Sequence, residues 1–297
     1  MSTTITAADV KALRQRTGAG MMDCKKTLQE ADGDIEKAVE LLRVKLGNKV
    51  GKLADRETTE GTVQSFISAD GKRGVLVEVD CNTDFVARND DFIAFARRIA
   101  EHVSQAGNPG PVDVAVLLDE EIAPGQTIEA ARADLSATTG ENVVISRADR
   151  FVVDGEGALA SYIHATGKVG VVVQVGWDAN SATAPTADEA TTFAKEVALH
   201  VAATPATKYV SSDDVSQDEK DAELRVYAQQ AEAEGKPEQI RDKIAQGKLN
   251  KWFKEIALLP QEHINPDKHD GKTIDQLRKA LSDDATVARF ARFQVGA

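Results

Sequence analysis

The sequence predicts an α+β protein made of a small N-terminal helical domain and a core of two similar subdomains. Three observations lead to this prediction. Three short amphipathic helical stripes open the chain, and a strand–turn–strand–helix pattern then occurs twice. A charged, helix-forming segment interrupts the second copy of the pattern. Because short turns join the paired strands, the sheets are expected to be antiparallel.

Three short helices are predicted in the N-terminal domain. Thr6 and Asp9 fit a capping box that begins the first helix, and residues 17–20, Thr-Gly-Ala-Gly, end it. Asp34 is placed to cap the third helix. Helices this short bury only a small core, so the domain is predicted to be a docking unit and not a site for chemistry. The apolar residues that share a face of these helices are Val10 and Leu13 in the first, Met21, Cys24 and Leu28 in the second, and Ile35, Ala38, Val39, Leu42 and Leu46 in the third.

A polar segment, residues 46–58, follows these helices. It contains two glycines and carries or adjoins the basic residues Lys45, Lys49, Lys52 and Arg56. We interpret it as a helix tail that runs into a solvated linker, and we favour this interpretation over a basic contact to an acidic partner.

An internal repeat organises the rest of the chain. Residues 71–79, GKRGVLVEV, match residues 167–175, GKVGVVVQV, and residues 95–103 match residues 193–201 further along. Each copy is interpreted as a hairpin with a Gly-Lys turn followed by an amphipathic helix. The first strands of the hairpins are expected at Gly61–Ala69 and Ala158–Ala165. The predicted domains are residues 1–55, 56–148 and 149–297.

The second copy carries an extra helical arm. Residues 213–254 are charged and helix-forming, and Gly235-Lys236-Pro237 breaks them, so a helical hairpin is expected. Near the end of the chain, a helix is predicted at Ile274–Leu281 and a final strand at Phe290–Val295.

Composition restricts the classes of function that fit this chain. The net charge of −12 and the aromatic content of 5% disfavour broad nucleic-acid binding, which needs a basic surface. Two cysteines cannot build a disulfide framework and fit a reducing compartment. The first residues lack the pattern of a secretory signal, and the most apolar run, Val169–Val175, is too short to span a bilayer. We therefore expect a cytoplasmic protein without membrane contact.

The sequence offers few candidates for catalytic, nucleotide-binding or metal-binding residues. The sequence has neither a phosphate-binding Gly-rich loop nor a metal-ligand motif, so no nucleotide, metal or cofactor is expected to bind. Ser161 and His164 share one predicted strand but alternate to opposite faces, which disfavours a nucleophile and base pair. Asp90 and Asp91 could pair as carboxylates, but a helix cap at Asn89 or Asp90 is favoured. The five histidines are scattered: His102, His164, His200, His263 and His269.

The loop after the first hairpin is the strongest candidate for a site. It reads CNTDFVARNDDF over residues 81–92, whereas the second repeat has a plain polar loop there, residues 177–189. A loop between a strand and a helix on a rigid frame often carries binding residues. Asp84 would offer a fixed charge and Phe85 a rigid apolar wedge. The residues alone leave two alternatives equal for Phe85: insertion into a partner, or packing under the next helix.

Two motifs show a resemblance to a known family. They are residues 13–28, LRQRTGAGMMDCKKTL, and residues 78–88, EVDCNTDFVAR. With weaker matches in order along nearly the whole chain, the sequence resembles the elongation factor Ts family. Thr27 stands where that family usually has a small apolar residue, and Asp80 stands where it usually has Asn.

The resemblance implies a UBA-like N-terminal domain and guanine-nucleotide exchange on elongation factor Tu without covalent chemistry. It implies that Asp84 and Phe85, in the loop with Thr83 and Val86, push into the partner and disturb the magnesium side of its GDP site. It also implies that His164 contacts the partner near its phosphate loop, and that the arm contacts the partner or a second copy. The alternatives are a scaffold or chaperone that holds a GTPase without exchange, and an enzyme with a hidden site. The positions that match partner contacts in the N-terminal domain are Lys11, Arg14, Met21 and Met22.

Overall fold

The computed structural model describes residues 5–17 and 19–297, and all side chains in those ranges except those of Gln15, Arg43 and residues 46–52. Gly18, which is part of the predicted break at residues 17–20, therefore lies outside the described residues, as do the side chains of Leu46, Lys49 and Lys52. The N-terminal helices are α1 (Ala7–Thr17), α2 (Met21–Glu30) and α3 (Ile35–Leu53).

The caps predicted for the N-terminal helices are confirmed. Thr6 and Asp9 exchange hydrogen bonds at the start of α1, and Asp34 accepts the backbone N–H of Lys37 at the start of α3 (3.1 Å). Met21, which shares the predicted stripe of the second helix with Cys24 and Leu28, is 52% exposed, whereas those two residues are buried. The buried core of these helices is Val10, Leu13, Ala19, Cys24, Leu28, Ala31, Ala38 and Leu42.

The first half of the core is built on a four-stranded antiparallel sheet with strand order β1-β2-β6-β3 and a separate short hairpin, β4-β5. Its strands are β1 (Glu60–Ile67), β2 (Arg73–Cys81), β3 (Gly110–Pro111), β4 (Glu121–Ala123), β5 (Gln126–Thr127) and β6 (Val144–Val152). Its helices are α4 (Asp84–Ala87), α5 (Asp90–Ser104), α6 (Val114–Leu118) and α7 (Ile128–Thr139).

The second half is built on a three-stranded antiparallel sheet with strand order β7-β8-β9. Its strands are β7 (Gly157–Ile163), β8 (Val169–Gly176) and β9 (Thr286–Gln294). Its helices are α8 (Ala187–Ala203), α9 (Gln217–Ala233), α10 (Glu238–Ile256), α11 (Pro266–His269) and α12 (Ile274–Leu281), with a short 3-10 turn at Ser212–Asp214. The predicted helical hairpin is present as α9 and α10, and both predicted terminal elements are present.

The two copies of the repeat adopt equivalent structures. The Gly-Lys turns hold Gly71 and Gly167 at φ values of +68° and +72°, a conformation that favours glycine. Both central strands, β2 and β8, carry a register irregularity at the same repeat position, beside Val79 and Val175. Strand β6, which was not predicted from the sequence, occupies the position in the first sheet that β9 occupies in the second. Strand β6 runs across residue 148, where the sequence placed a domain boundary.

The core has four layers: helix α5, the first sheet, the second sheet and helix α8. Because side chains alternate along a strand, β2 turns one set of residues towards α5 and the other towards the second sheet. Val75 and Val77 pack in the cluster with α5, whereas Leu76 packs against Val172 of the second sheet. Both faces of each central strand are therefore buried, which explains the continuous valine-rich runs.

Close approach of the two sheets requires glycine. A Cβ atom at Gly170 would lie 2.5 Å from a methyl carbon of Val63, and one at Gly74 would lie 3.0 Å from a methyl carbon of Leu159. These contacts are related by the repeat, since each glycine meets the corresponding residue of the other sheet. A hydrogen bond of 2.9 Å joins Ser65 and Ser161, which hold equivalent positions before the two turns. The halves are thus related by a pseudo-twofold axis near these serines.

The described part of the chain contains no helix that combines the length and the apolar character needed to cross a membrane.

Candidate functional site

The Phe85 turn, residues 82–88, is held by helix caps on both sides. Thr83 caps the short helix α4, since its hydroxyl oxygen accepts the backbone N–H of Val86 (3.5 Å). Asn89 then caps α5 and accepts the backbone N–H of Asp91 (2.8 Å). The predicted cap of α5 is therefore confirmed at Asn89. With both ends capped and β2 directly before it, the turn has little freedom to change shape.

Phe85 lies on the surface. It is 83% exposed, whereas Ala87 is buried and Val86 packs partly against the core cluster under α5. The alternative in which Phe85 packs under the next helix is therefore wrong. Its neighbours anchor the turn, so the aromatic ring is presented outward on a fixed support. Asp84 is half-exposed and forms a 3.2 Å ion pair with Arg88, one turn along.

A cleft of about 510 Å³ separates the Phe85 turn from the turn between β7 and β8. Asp84 and Arg88 line one side, and Ala165 and Thr166 line the other. His164 is exposed beside this cleft, and its Nδ1 atom lies 3.1 Å from the hydroxyl of Thr166. The fold thus brings two predicted site regions, far apart in sequence, to one edge of the molecule.

An ion pair joins the start of β1 to the turn between β7 and β8. Lys168 Nζ lies 2.5 Å from an Oε atom of Glu60, which begins β1. The backbone oxygen of Gly167 also accepts the N–H of Val63 (2.7 Å). The turn beside His164 is therefore tied to the start of β1, which pairs with the end of β2 where the Phe85 turn begins.

The predicted contact residues of the N-terminal domain all reach solvent. Lys11 and Arg14 are exposed on one face of α1, and Met21 and Met22, at 52% and 62% exposure, begin α2. Two neighbouring exposed methionines form an adaptable apolar surface, a feature of binding sites. These residues lie in a separate helical unit, not in the cleft.

The two departures from the family pattern both bury a polar atom. Burial raises the pKa of the Asp80 carboxyl, whose Oδ2 atom accepts the hydroxyl of Ser146. The other oxygen of Asp80 and the hydroxyl of Thr27 are buried without a hydrogen-bond partner among the described residues. A buried unpaired polar atom is destabilising. Asp80 lies at the end of β2, just before the Phe85 turn.

The candidates for covalent chemistry are not assembled into a catalytic site. Ser161 bonds to Ser65 and not to His164. Both cysteines are buried, and burial raises the pKa of Cys81 to about 12 and raises that of Cys24. Since the thiolate is the reactive form, these thiols are inert at neutral pH.

One group of potential metal ligands was not anticipated from the sequence: Glu196, His263 and His269, whose ligand atoms lie within 4.8 Å of one another. His263 Nδ1 accepts the backbone N–H of Asn265 (3.1 Å), so its proton lies on Nε2, which faces the backbone oxygen of Glu196 (3.2 Å). A metal at Nε2 would need the opposite tautomer. Lys268 also pairs with Glu196. The group is therefore a hydrogen-bonded cluster.

A buried neighbour completes this cluster. The His200 ring stacks on that of His263 with 5.6 Å between ring centres. His200 Nδ1 accepts the N–H of Ile264 (3.2 Å), and its Nε2 bonds to Gln261 (2.7 Å). Burial lowers the pKa of His200 and of His263. Both rings are thus held neutral and serve as packing and hydrogen-bonding groups.

Three polar residues at the base of the Phe85 turn were missed by sequence reasoning: Asn82, Glu141 and Asn142. Asn82 accepts the backbone N–H of Asn142 (2.9 Å) and donates to the backbone oxygen of Glu57 (2.6 Å). Asn142 donates to the backbone oxygens of Ala54 (3.2 Å) and Arg56 (3.0 Å). These bonds fasten the segment after α3 to the base of the turn. The sequence does not indicate that Asn82 lies beside Glu141 and Asn142, because these residues are far apart in the chain.

The fold and the site define a class of protein. An aromatic side chain presented on a rigid turn, beside a cleft and with a separate helical unit, is typical of a protein that acts by binding another protein.

Comparison with known proteins identifies the family. The family model "Elongation factor TS" matches residues 82–297. Elongation factor Ts of Nitratidesulfovibrio vulgaris (strain DP4) is 44% identical over 296 residues, covering 98% of this chain and 96% of the relative. Those of Azoarcus sp. (strain BH72) and Clostridium botulinum (strain Alaska E43 / Type E3) are 43% identical over 293 residues, covering 98% of this chain and 91% and 93% of the relatives.

The chain belongs to the elongation factor Ts family. The resemblance inferred from the two motifs is confirmed, and with it a role in translation as a nucleotide exchange factor for elongation factor Tu.

Proposed function

We propose that Asp84 and Phe85 enter the nucleotide-binding domain of elongation factor Tu and disturb the groups that hold magnesium beside GDP. The observation that carries this proposal is the 83% exposure of Phe85 on a turn whose neighbours are anchored. A rigid aromatic side chain loses little conformational entropy on binding, which suits a wedge. Thr83 and Val86 hold the wedge in place, one as a cap and one as a packing residue.

The physical principle of exchange is linkage. A factor that binds the nucleotide-free partner better than the GDP-bound partner must weaken GDP binding by the same ratio. A factor with equal affinity for both states would shift nothing. Disturbing the magnesium site removes a large local charge that holds the diphosphate. The wedge therefore acts by binding energy alone, without covalent chemistry, cofactor or bound nucleotide in this chain.

Two further surfaces take part in the proposed complex. The N-terminal unit, a UBA-like domain comprising residues 1–55, docks on the same partner domain through Lys11, Arg14, Met21 and Met22. His164 contacts the partner near its phosphate loop, and its position beside the cleft supports this assignment. The two core subdomains are assigned to residues 56–148 and 149–297, with residues 149–152 completing strand β6 of the first sheet.

The helical arm, residues 213–254, contacts the partner or a second copy of the chain. The factor acts in the cytoplasm, with no direct contact to a membrane or a nucleic acid.

The alternative function is a scaffold or chaperone that holds the GTPase without releasing its nucleotide. GDP release separates the two. Elongation factor Tu loaded with fluorescent GDP is mixed with this protein and excess unlabelled GDP, and the fluorescence decay is followed. We expect release to accelerate with the wild-type protein and to slow with Asp84→Ala. Binding of the partner without any acceleration of release would establish the scaffold.

A further inference from the structure

The carboxylate of Glu141 holds the base of the Phe85 turn. Its Oε2 atom accepts the backbone N–H groups of Asn82 (3.1 Å) and Thr83 (3.0 Å), and its Oε1 atom accepts the hydroxyl of Thr83 (2.5 Å). That same hydroxyl oxygen accepts the N–H of Val86 and so caps α4. One carboxylate therefore fixes both the main chain entering the turn and the residue that caps the helix carrying Phe85.

Glu141 reaches this position from a separate element. Helix α7 ends at Thr139, and the next residue, Gly140, adopts φ = +75° and lets the chain turn sharply. Glu141 then faces the turn, while the next residue, Asn142, bonds to the segment after α3. Helix α7 packs in the same core cluster as α5 through Ile128 and Ala131. The carboxylate thus stands on a rigid part of the first subdomain.

We infer that Glu141 is a positioning residue for nucleotide exchange. It touches neither nucleotide nor magnesium and acts through the shape of the turn that presents Phe85. Hydrogen bonds to a charged acceptor are stronger than those between neutral groups, so three of them fix the turn before the partner arrives. A turn ordered in advance spares the complex the cost of ordering it. This inference rests on the proposed role of Phe85.

The test is a double-mutant cycle on the full chain. GDP release from elongation factor Tu loaded with fluorescent GDP is measured at saturating factor for Glu141→Ala, Phe85→Ala and the double variant. We expect Glu141→Ala to slow the maximal rate of GDP release by about tenfold. This factor corresponds to the free energy of one hydrogen bond to a charged acceptor. In the Phe85→Ala background it should cause no further slowing, because its effect passes through Phe85.

Two other variants test whether the effect is specific to the carboxylate of Glu141. Glu101→Ala is the matched control, because Glu101 is an exposed glutamate on α5 away from the turn, and it should release GDP at the wild-type rate. In Glu141→Gln, the amide oxygen of glutamine replaces one carboxylate oxygen and still accepts the two backbone N–H groups. It should restore most of the rate, leaving about a threefold slowing that is again absent beside Phe85→Ala. If Glu141→Ala does not fold, the Gln cycle alone tests the inference.

The outcomes separate the inference from the proposed function. Slow release with Phe85→Ala but wild-type release with both Glu141 variants overturns the inference alone. Equal slowing by a Glu141 variant with and without Phe85 also overturns it, since that result means a general loss of structure. Wild-type release with Phe85→Ala overturns the proposed function and the inference with it.

Discussion

Replacing Phe85 by Ala should separate function from stability. Because Phe85 is 83% exposed, it loses less than a fifth of its surface to the folded protein, and truncation should cost less than about 0.6 kcal/mol of unfolding free energy. Phe92, a few residues along, is fully buried, and the same truncation there should cost about 3–5 kcal/mol. If Phe85 is a binding hot spot, its loss should weaken the exchange complex by about 2 kcal/mol, roughly thirtyfold.

Thermal melting and GDP release measure these two effects. At about 2 °C per kcal/mol for a chain of this size, Phe85→Ala should melt within about 1 °C of the wild type, and Phe92→Ala should melt about 6–10 °C lower. Phe85→Ala should also release GDP from elongation factor Tu about thirtyfold more slowly. A lowered melting temperature with a normal exchange rate would refute the assignment of Phe85 as the wedge.

The remaining predictions concern the packing between the two sheets, the buried histidines and the N-terminal unit. Gly170→Ala should destabilise the protein by about 1–3 kcal/mol, because its Cβ would lie 2.5 Å from a carbon of the facing sheet. Gly247→Ala, in a helix with open space around it, should stabilise by up to about 1 kcal/mol; chemical denaturation compares the two, and equal effects would contradict the packing argument. Unfolded histidine protonates near pH 6.5, whereas burial holds the pKa of His200 and His263 lower, so unfolding free energy should fall as pH drops below 6.5. The denaturation midpoint of the wild type should fall between pH 7 and pH 5. A constant midpoint over that range in a His200→Gln, His263→Gln double variant would confirm that these two histidines cause the fall. Deleting residues 1–52 should leave the core folded but weaken partner binding, and unchanged affinity by calorimetry would exclude a docking role.

Local pattern accounts for most of the fold that the sequence predicted. The N-terminal caps, the two hairpins, the helical arm, helix Ile274–Leu281 and the last strand all follow from periodicity, turn glycines and capping residues. Such signals involve residues close together in the chain, so they can be detected without knowing what packs on them. Strand β6 was missed because it forms no hairpin with its neighbour in sequence and pairs instead with β2.

The candidate site was also predicted only in part from the sequence. The residue types of the Phe85 turn and its difference from the second repeat are visible in the sequence alone. Whether Phe85 lies inside or outside was undetermined, because an apolar residue on a short helix packs inward or projects outward according to what its neighbours bury. The structure decides this through Ala87, which is buried while Phe85 is exposed.

The sequence by itself determined that this protein has two related halves, an N-terminal helical unit and one loop unlike its counterpart. Only the tertiary structure decided that the two sheets pack face to face through Gly74 and Gly170, and that Glu141 holds the Phe85 turn. The physical reason is distance along the chain. A hydrogen bond or a packing contact between residues far apart in sequence leaves no periodic trace, because it depends on how complete sheets and helices fit together.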